Sequence, residues 1–120
     1  MRARLGILLG FLIVSAALSL ADDKRADNGV FTGQITDSIC ARNGSHAETM
    51  RLSKDMGETP LQCTLICVGK GAKYVLYDPK HKKTYRLSDQ TQAGKFAGRD
   101  VRVTGVLKKN EITVASIELQ

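Results

Sequence analysis

Tryptophan is absent from this 120-residue chain, and the other aromatics are three tyrosines and three phenylalanines. Of these, Phe11 falls in an apolar N-terminal run, leaving Phe31, Tyr74, Tyr77, Tyr85 and Phe96 for the rest of the chain. A β-protein needs most of these for its core. That argues against a row of aromatics on which nucleic-acid bases stack. No Cys-x-x-Cys pair occurs, so the usual thiol–disulfide redox motif is missing. Gly69-Lys70-Gly71 is too short to be a phosphate-cradling loop. Prolines number two and histidines two, and the three cysteines, Cys40, Cys63 and Cys67, are an odd number. There is no repeat and no low-complexity tract.

The N-terminus reads as a secretory signal. Arg2 and Arg4 form the positive end, an apolar stretch follows from Leu5 to Leu20, and Ser19-Leu20-Ala21 places small residues where a signal peptidase cleaves. Residues 1–21 are thus expected to be removed, residues 22–28 to form a flexible lead-in, and residues 29–120 to form one domain. The apolar run is shorter than the ~20 residues of a spanning helix, so the membrane is met only transiently. No cysteine follows the run, which argues against a lipid anchor. The expected location is periplasmic or secreted. The formal net charge of +6 drops to +4 once Arg2 and Arg4 are lost.

Alternation of apolar and polar residues predicts strands over Gly29–Asp37, Lys73–Asp78, Lys83–Ser88, Asp100–Leu107 and Glu111–Leu119. Asp78-Pro79-Lys80-His81-Lys82 and Lys108-Lys109-Asn110 are the turns that close two hairpins. Ser45–Lys54 is a helix candidate, with Glu48 three residues after Ser45 in capping-box register. A second helix opens at Thr59 or Pro60 and stops near Gly69 or Gly71, and a short helix or turn covers Ser88–Ala97. Five strands with a helix between the third and fourth give the order of an OB-fold, a small Greek-key barrel. Here it carries a helical, cysteine-containing insertion after the first strand. The predicted core is Phe31, Ile35, Val75, Tyr77, Tyr85, Leu87, Val101, Val103, Val106, Ile112, Val114 and Ile117, with Phe96 packing inward and Gly33 and Gly105 at sharp bends.

In an oxidising compartment two of the three thiols are expected to pair. Cys63 and Cys67, at i and i+4 of one helix, share a face, but their geometry is poor for bonding each other. That leaves Cys40–Cys63 or Cys40–Cys67, a staple closing a loop of ~25 residues and contributing ~3 kcal/mol in the loop-entropy model. The same residues also suit a metal. Cys40, His46, Cys63 and Cys67 make an accepted tetrahedral zinc set. Met50 and Met56 add thioethers nearby, which favour monovalent copper. A Cys–His nucleophile pair would require an oxyanion hole and a cleft that nothing in the sequence indicates. Glu48 and Asp55 read as surface charges. Lys70, Lys73, Lys80, Lys82, Lys83 and Arg86 form a basic stretch that a polyanion or nucleic acid could contact, or simply a solvated hairpin.

Phe96 to Gly105, followed by Ile112 to Ile117, is similar to the end of OB-like domains in exported bacterial proteins. The fuller pattern is Asp37-Ser38-Ile39-Cys40, His46, Cys63-Thr64-Leu65-Ile66-Cys67-Val68 and Lys73-Tyr74-Val75-Leu76. It resembles small exported bacterial proteins whose domain has no assigned function, over about the whole mature chain. The resemblance implies export and an OB-like fold, and supplies no catalytic residue. The leading expectation is a non-enzymatic binding module for a metal ion, small molecule or protein. A polyanion-binding barrel and a thiol-active redox enzyme are the alternatives.

Overall fold

A computed structural model describes residues 27–120. The expected signal segment and residues 22–26 of the lead-in lie outside the described residues. The chain runs β1 (Asp27–Asp37), α1 (Ser38–Asn43), α2 (His46–Leu52), α3 (Pro60–Gly69), β2 (Tyr74–Asp78), β3 (Lys83–Leu87), α4 (Gln90–Gly94), β4 (Asp100–Lys108) and β5 (Glu111–Leu119). The strands close into a barrel in the order β1-β2-β3-β5-β4. β1 pairs antiparallel with both β2 and β4, and β3 meets β5 in parallel. This is the OB arrangement, with its usual helix between β3 and β4 and a larger helical insertion between β1 and β2. Among the described residues no helix is long and apolar enough to cross a membrane.

The barrel is filled by Ile35, Leu76, Tyr85, Leu87, Ala93, Val101, Val103, Ile112 and Ile117, with Phe31, Tyr74, Phe96, Leu107 and Val114 packed against them. Two strands depart from the expected face. On β2 the inward residue is Leu76, opposite Ile35, and not Val75 or Tyr77. Val75 is buried too, but it pairs with Thr36 on the other face of the sheet. The insertion packs against β1 and β2, so β2 has apolar residues in demand on both sides and alternation cannot choose between them. On β4 the inward parity is Val101, Val103, Gly105 and Leu107, so Leu107 rather than Val106 meets the core.

β5 changes parity part-way. Thr104 pairs with Ser116 and Gly105 with Val114, which leaves Ala115 as an unpaired bulge residue. That is how Ile112, Val114 and Ile117 all reach the core. The two strand glycines mark close backbone contact. A Cβ on Gly33 would run into the carbonyl of Tyr77, and one on Gly105 into that of Thr113.

Candidate metal centre

Each cysteine is placed by a helix terminus. Asp37 ends β1 and caps α1, its Oδ1 accepting from the backbone N–H groups of Ile39 and Cys40, both at 2.9 Å. Cys40 thereby enters the first turn of α1. The sequence predicts a strand ending at Asp37 and no helix before Ser45, so α1 is a correction to that expectation. It has only six residues and no periodic stretch to betray it, although an Asp two residues ahead of Ile39 is a recognisable cap. Gly44, at φ 96°, turns the chain left-handed out of α1. Ser45 then caps α2, accepting from Glu48 N–H at 3.0 Å, in the expected register. His46 is the first residue of α2. Thr59 caps α3 and Pro60 opens it. Its inward face carries Cys63, Thr64 and Cys67, all wholly buried.

The three sulfurs converge. Cys40, Cys63 and Cys67 offer ligand atoms that all lie within 4.8 Å of one another. Cys40 Sγ and Cys63 Sγ are 3.2 Å apart, beyond the ~2.05 Å of a disulfide. All three cysteines are free thiols in this structure, so the expected staple is not formed here. Met56 Sδ lies 3.8 Å from Cys67 Sγ, and Met50 packs on the same cluster.

His46 joins a different group. One of its ring nitrogens, Cys40 Sγ and a carboxylate oxygen of Asp37 also lie within 4.8 Å of one another. The four residues expected to form one tetrahedral set are therefore arranged as two triads that share Cys40. The sequence reading missed Asp37 as the third member of the second triad. The signal available was its place immediately ahead of a cysteine, at a point where a cap would bury it.

Three buried polar atoms around this cluster lack partners: Asp37 Oδ2, His46 Nδ1 and Thr64 Oγ1. Buried polar atoms are nearly always hydrogen-bonded, so three bare ones beside three thiols call for an occupant. His46 Nε2 is engaged by Thr36 Oγ1 at 3.1 Å, which fixes the ring and leaves Nδ1 free. Burial pushes the Cys40 thiol far above its ordinary range, reinforced by the neighbouring Asp37 carboxylate and by the contact with Cys63. Burial, with the negative charge of Asp37 behind it, raises Cys67 to about 11. Burial lowers His46, against the opposing pull of Asp37. Cys40 and Cys67 are thus protonated at neutral pH, the reverse of what a nucleophilic or exchange-active thiol requires. A bound cation would invert this, because coordination deprotonates a thiol outright.

The basic residues are exposed. Lys70 and Lys73 lie ahead of β2, whereas Lys80 and Lys82 follow it, so roughly 15 Å of strand separates the two pairs. Lys83 opens β3. Arg86, further along, pairs with Glu111 at 3.6 Å and donates to the carbonyl of Lys109 at 3.3 Å. His81 stays in the β2–β3 turn, where its Nδ1 meets Asp78 Oδ2 at 2.6 Å, and belongs to neither triad. No protein-family model matches this chain, and neither a curated protein nor a solved structure matches it.

Proposed function

We propose that this chain is an exported, non-enzymatic binding module that holds one thiophilic cation, monovalent copper or zinc, at Cys40, Cys63 and Cys67. The observation that carries the reading is the convergence of three wholly buried sulfurs within 4.8 Å. A staple uses two sulfurs and has no need of a third beside them. Three thiolates make a trigonal site of the kind monovalent copper accepts, with the Met56 thioether alongside. Zinc would take a fourth donor, from Asp37 or water. Export is supported by the charged start, the apolar run and the small residues up to Ala21.

Titrating the reduced protein anaerobically with monovalent copper, and separately with zinc, tests the reading. One ion bound per chain, with all three thiols protected from alkylation, is the expected result. Three freely alkylated thiols and no retained ion, with either metal, would overturn it. A second reading has its own observation. The 3.2 Å separation of Cys40 and Cys63 favours their oxidation to a disulfide, leaving Cys67 as the one remaining thiol. Mass spectrometry of protein from the cell envelope separates the two, since the disulfide removes two hydrogens and leaves one alkylatable cysteine. The polyanion reading has weaker support, because the lysines are split along β2 and Arg86 is already paired.

A further inference from the structure

Cys63 and Cys67 are wholly buried, so an ion needs a path to them. A pocket of about 330 Å³ opens on one side of the cluster, lined among others by Gln34, Thr36, Cys40, His46, Tyr77 and Asp100. Cys63 and Cys67 are not among its lining residues. Of the three cysteines only Cys40 lines the pocket, and it too is wholly buried; Asp37 does not line it. His46 borders it beside Cys40, and both belong to the triad completed by Asp37.

We propose that Asp37, Cys40 and His46 form a second cation site at the inner end of this pocket, which receives a thiophilic cation from solvent and passes it to the three-cysteine site through their shared ligand Cys40. The proposal rests on the metal reading above and deepens it. Two bare buried atoms support it independently of the sulfurs. Asp37 is 0% exposed and His46 8%, and Asp37 Oδ2 and His46 Nδ1 have no hydrogen-bond partner. The contact between Thr36 Oγ1 and His46 Nε2 is the arrangement that orients a metal-binding imidazole, with one nitrogen held and the other presented. A carboxylate, an imidazole and one thiolate bind a soft ion less tightly than three thiolates do. The ion therefore moves inward downhill. Because Cys40 stays bound throughout, the transfer needs no return to water. Each thiol that ligates releases its proton to solvent.

Cadmium(II) is a suitable probe, being thiophilic and without redox chemistry, and its thiolate charge-transfer absorption reports arrival at the sulfurs. Reduced full-length protein is mixed with cadmium in a stopped-flow instrument, and release to an excess of chelator is followed separately. His46→Gln should slow loading roughly tenfold and release by the same factor, leaving one ion per chain and an affinity within roughly threefold of the parent. Ala47→Trp places bulk at an exposed position on the pocket wall without touching a donor, and should slow both rates as well. It also covers the case in which His46→Gln fails to fold. His81→Gln should change neither rate. Unchanged loading in both pocket variants would overturn the proposal. So would a His46→Gln variant that loads at the parent rate but binds more weakly, since His46 would then be a ligand of the resident ion. Failure of the parent protein to take up cadmium would instead overturn the three-cysteine site itself.

Discussion

Replacing Asp37 by Asn should move stability and metal affinity in opposite directions. Asp37 is wholly buried. One of its oxygens caps α1 through two 2.9 Å hydrogen bonds, and the other has no partner. Asn caps as well as Asp does, so Asp37→Asn keeps α1 and removes an uncompensated buried charge. The metal-free, reduced variant should be as stable as the parent or more stable by about 1 kcal/mol. Asp37→Ala, which loses the cap, should cost about 1–2 kcal/mol. Affinity behaves otherwise. An Asp37 oxygen lies within 4.8 Å of Cys40 Sγ, so an ion on that sulfur feels the carboxylate at close range. At an effective dielectric of ~20 and a distance of ~5 Å, the attraction is about 3 kcal/mol per unit of cation charge. Part of this is returned because Cys40 and Cys67 ionise more easily once the neighbouring charge is gone. The net loss in affinity should still be about tenfold or more. Urea unfolding of the metal-free protein and chelator competition for monovalent copper measure the two effects separately. The reasoning fails if Asp37→Asn destabilises the metal-free protein as much as Asp37→Ala does, or if it binds copper as tightly as the parent.

The thiols also predict an alkaline limit. Cys40 and Cys67 are raised above the ordinary 9.0, Cys67 to about 11, so the unfolded chain loses protons first. The stability they contribute is complete below pH 9 and declines above it, by about 1.4 kcal/mol per pH unit for each thiol. Urea midpoints of reduced, metal-free protein should fall between pH 9 and 11, and less steeply in Cys67→Ala; flat midpoints would contradict the burial. Val103→Asp puts a charge at a wholly buried barrel position and should cost about 3–5 kcal/mol, so an unchanged melting temperature would show that the inward face of β4 is wrongly assigned. Lys109 and Asn110 turn the β4–β5 hairpin at φ 48° and 65°, a conformation that suits glycine. Asn110→Gly should therefore raise stability by up to about 1 kcal/mol, whereas a lowered urea midpoint would mean that the Asn side chain has a role of its own.

The barrel was readable because β3, β4, β1 as far as Ile35 and β5 as far as Val114 bury one face more than the other, so Ile35, Leu87, Val103 and Ile112 repeat at the period of a strand. β2 was not readable in the same way, since Val75 and Leu76 are buried on opposite faces and the residue order holds no information about which face closes the barrel. The cysteines were readable in part. Cys63 and Cys67 share a face by helical geometry, and Cys40 follows the strand against which that helix packs. The allocation of His46 to Asp37 and Cys40 was hidden, because it depends on the left-handed turn at Gly44 and on the α1 helix before it. Short capped helices such as α1 draw their stability from a cap and from packing rather than from a periodic face, so a pattern search passes over them.

The last rung between β1 and β2 lies beyond the Asp37–Tyr74 pair: Ser38 N–H donates to the carbonyl of Lys73 at 2.9 Å, and Lys73 N–H donates to Ser38 Oγ at 3.2 Å. The two ends of the helical excursion thus meet at the mouth of what is otherwise an ordinary hairpin. Loop-closure entropy grows only as the logarithm of length, by about 0.6 kcal/mol per doubling, so the barrel is nearly indifferent to how much chain lies between them. Ile39 to Ala72 is in this sense a detachable cassette. It could be excised and replaced by a tight turn without altering a strand, or grafted into the matching hairpin of another barrel. Because β1 supplies Asp37 and Thr36, a graft would have to carry those two residues with it for both triads to be rebuilt.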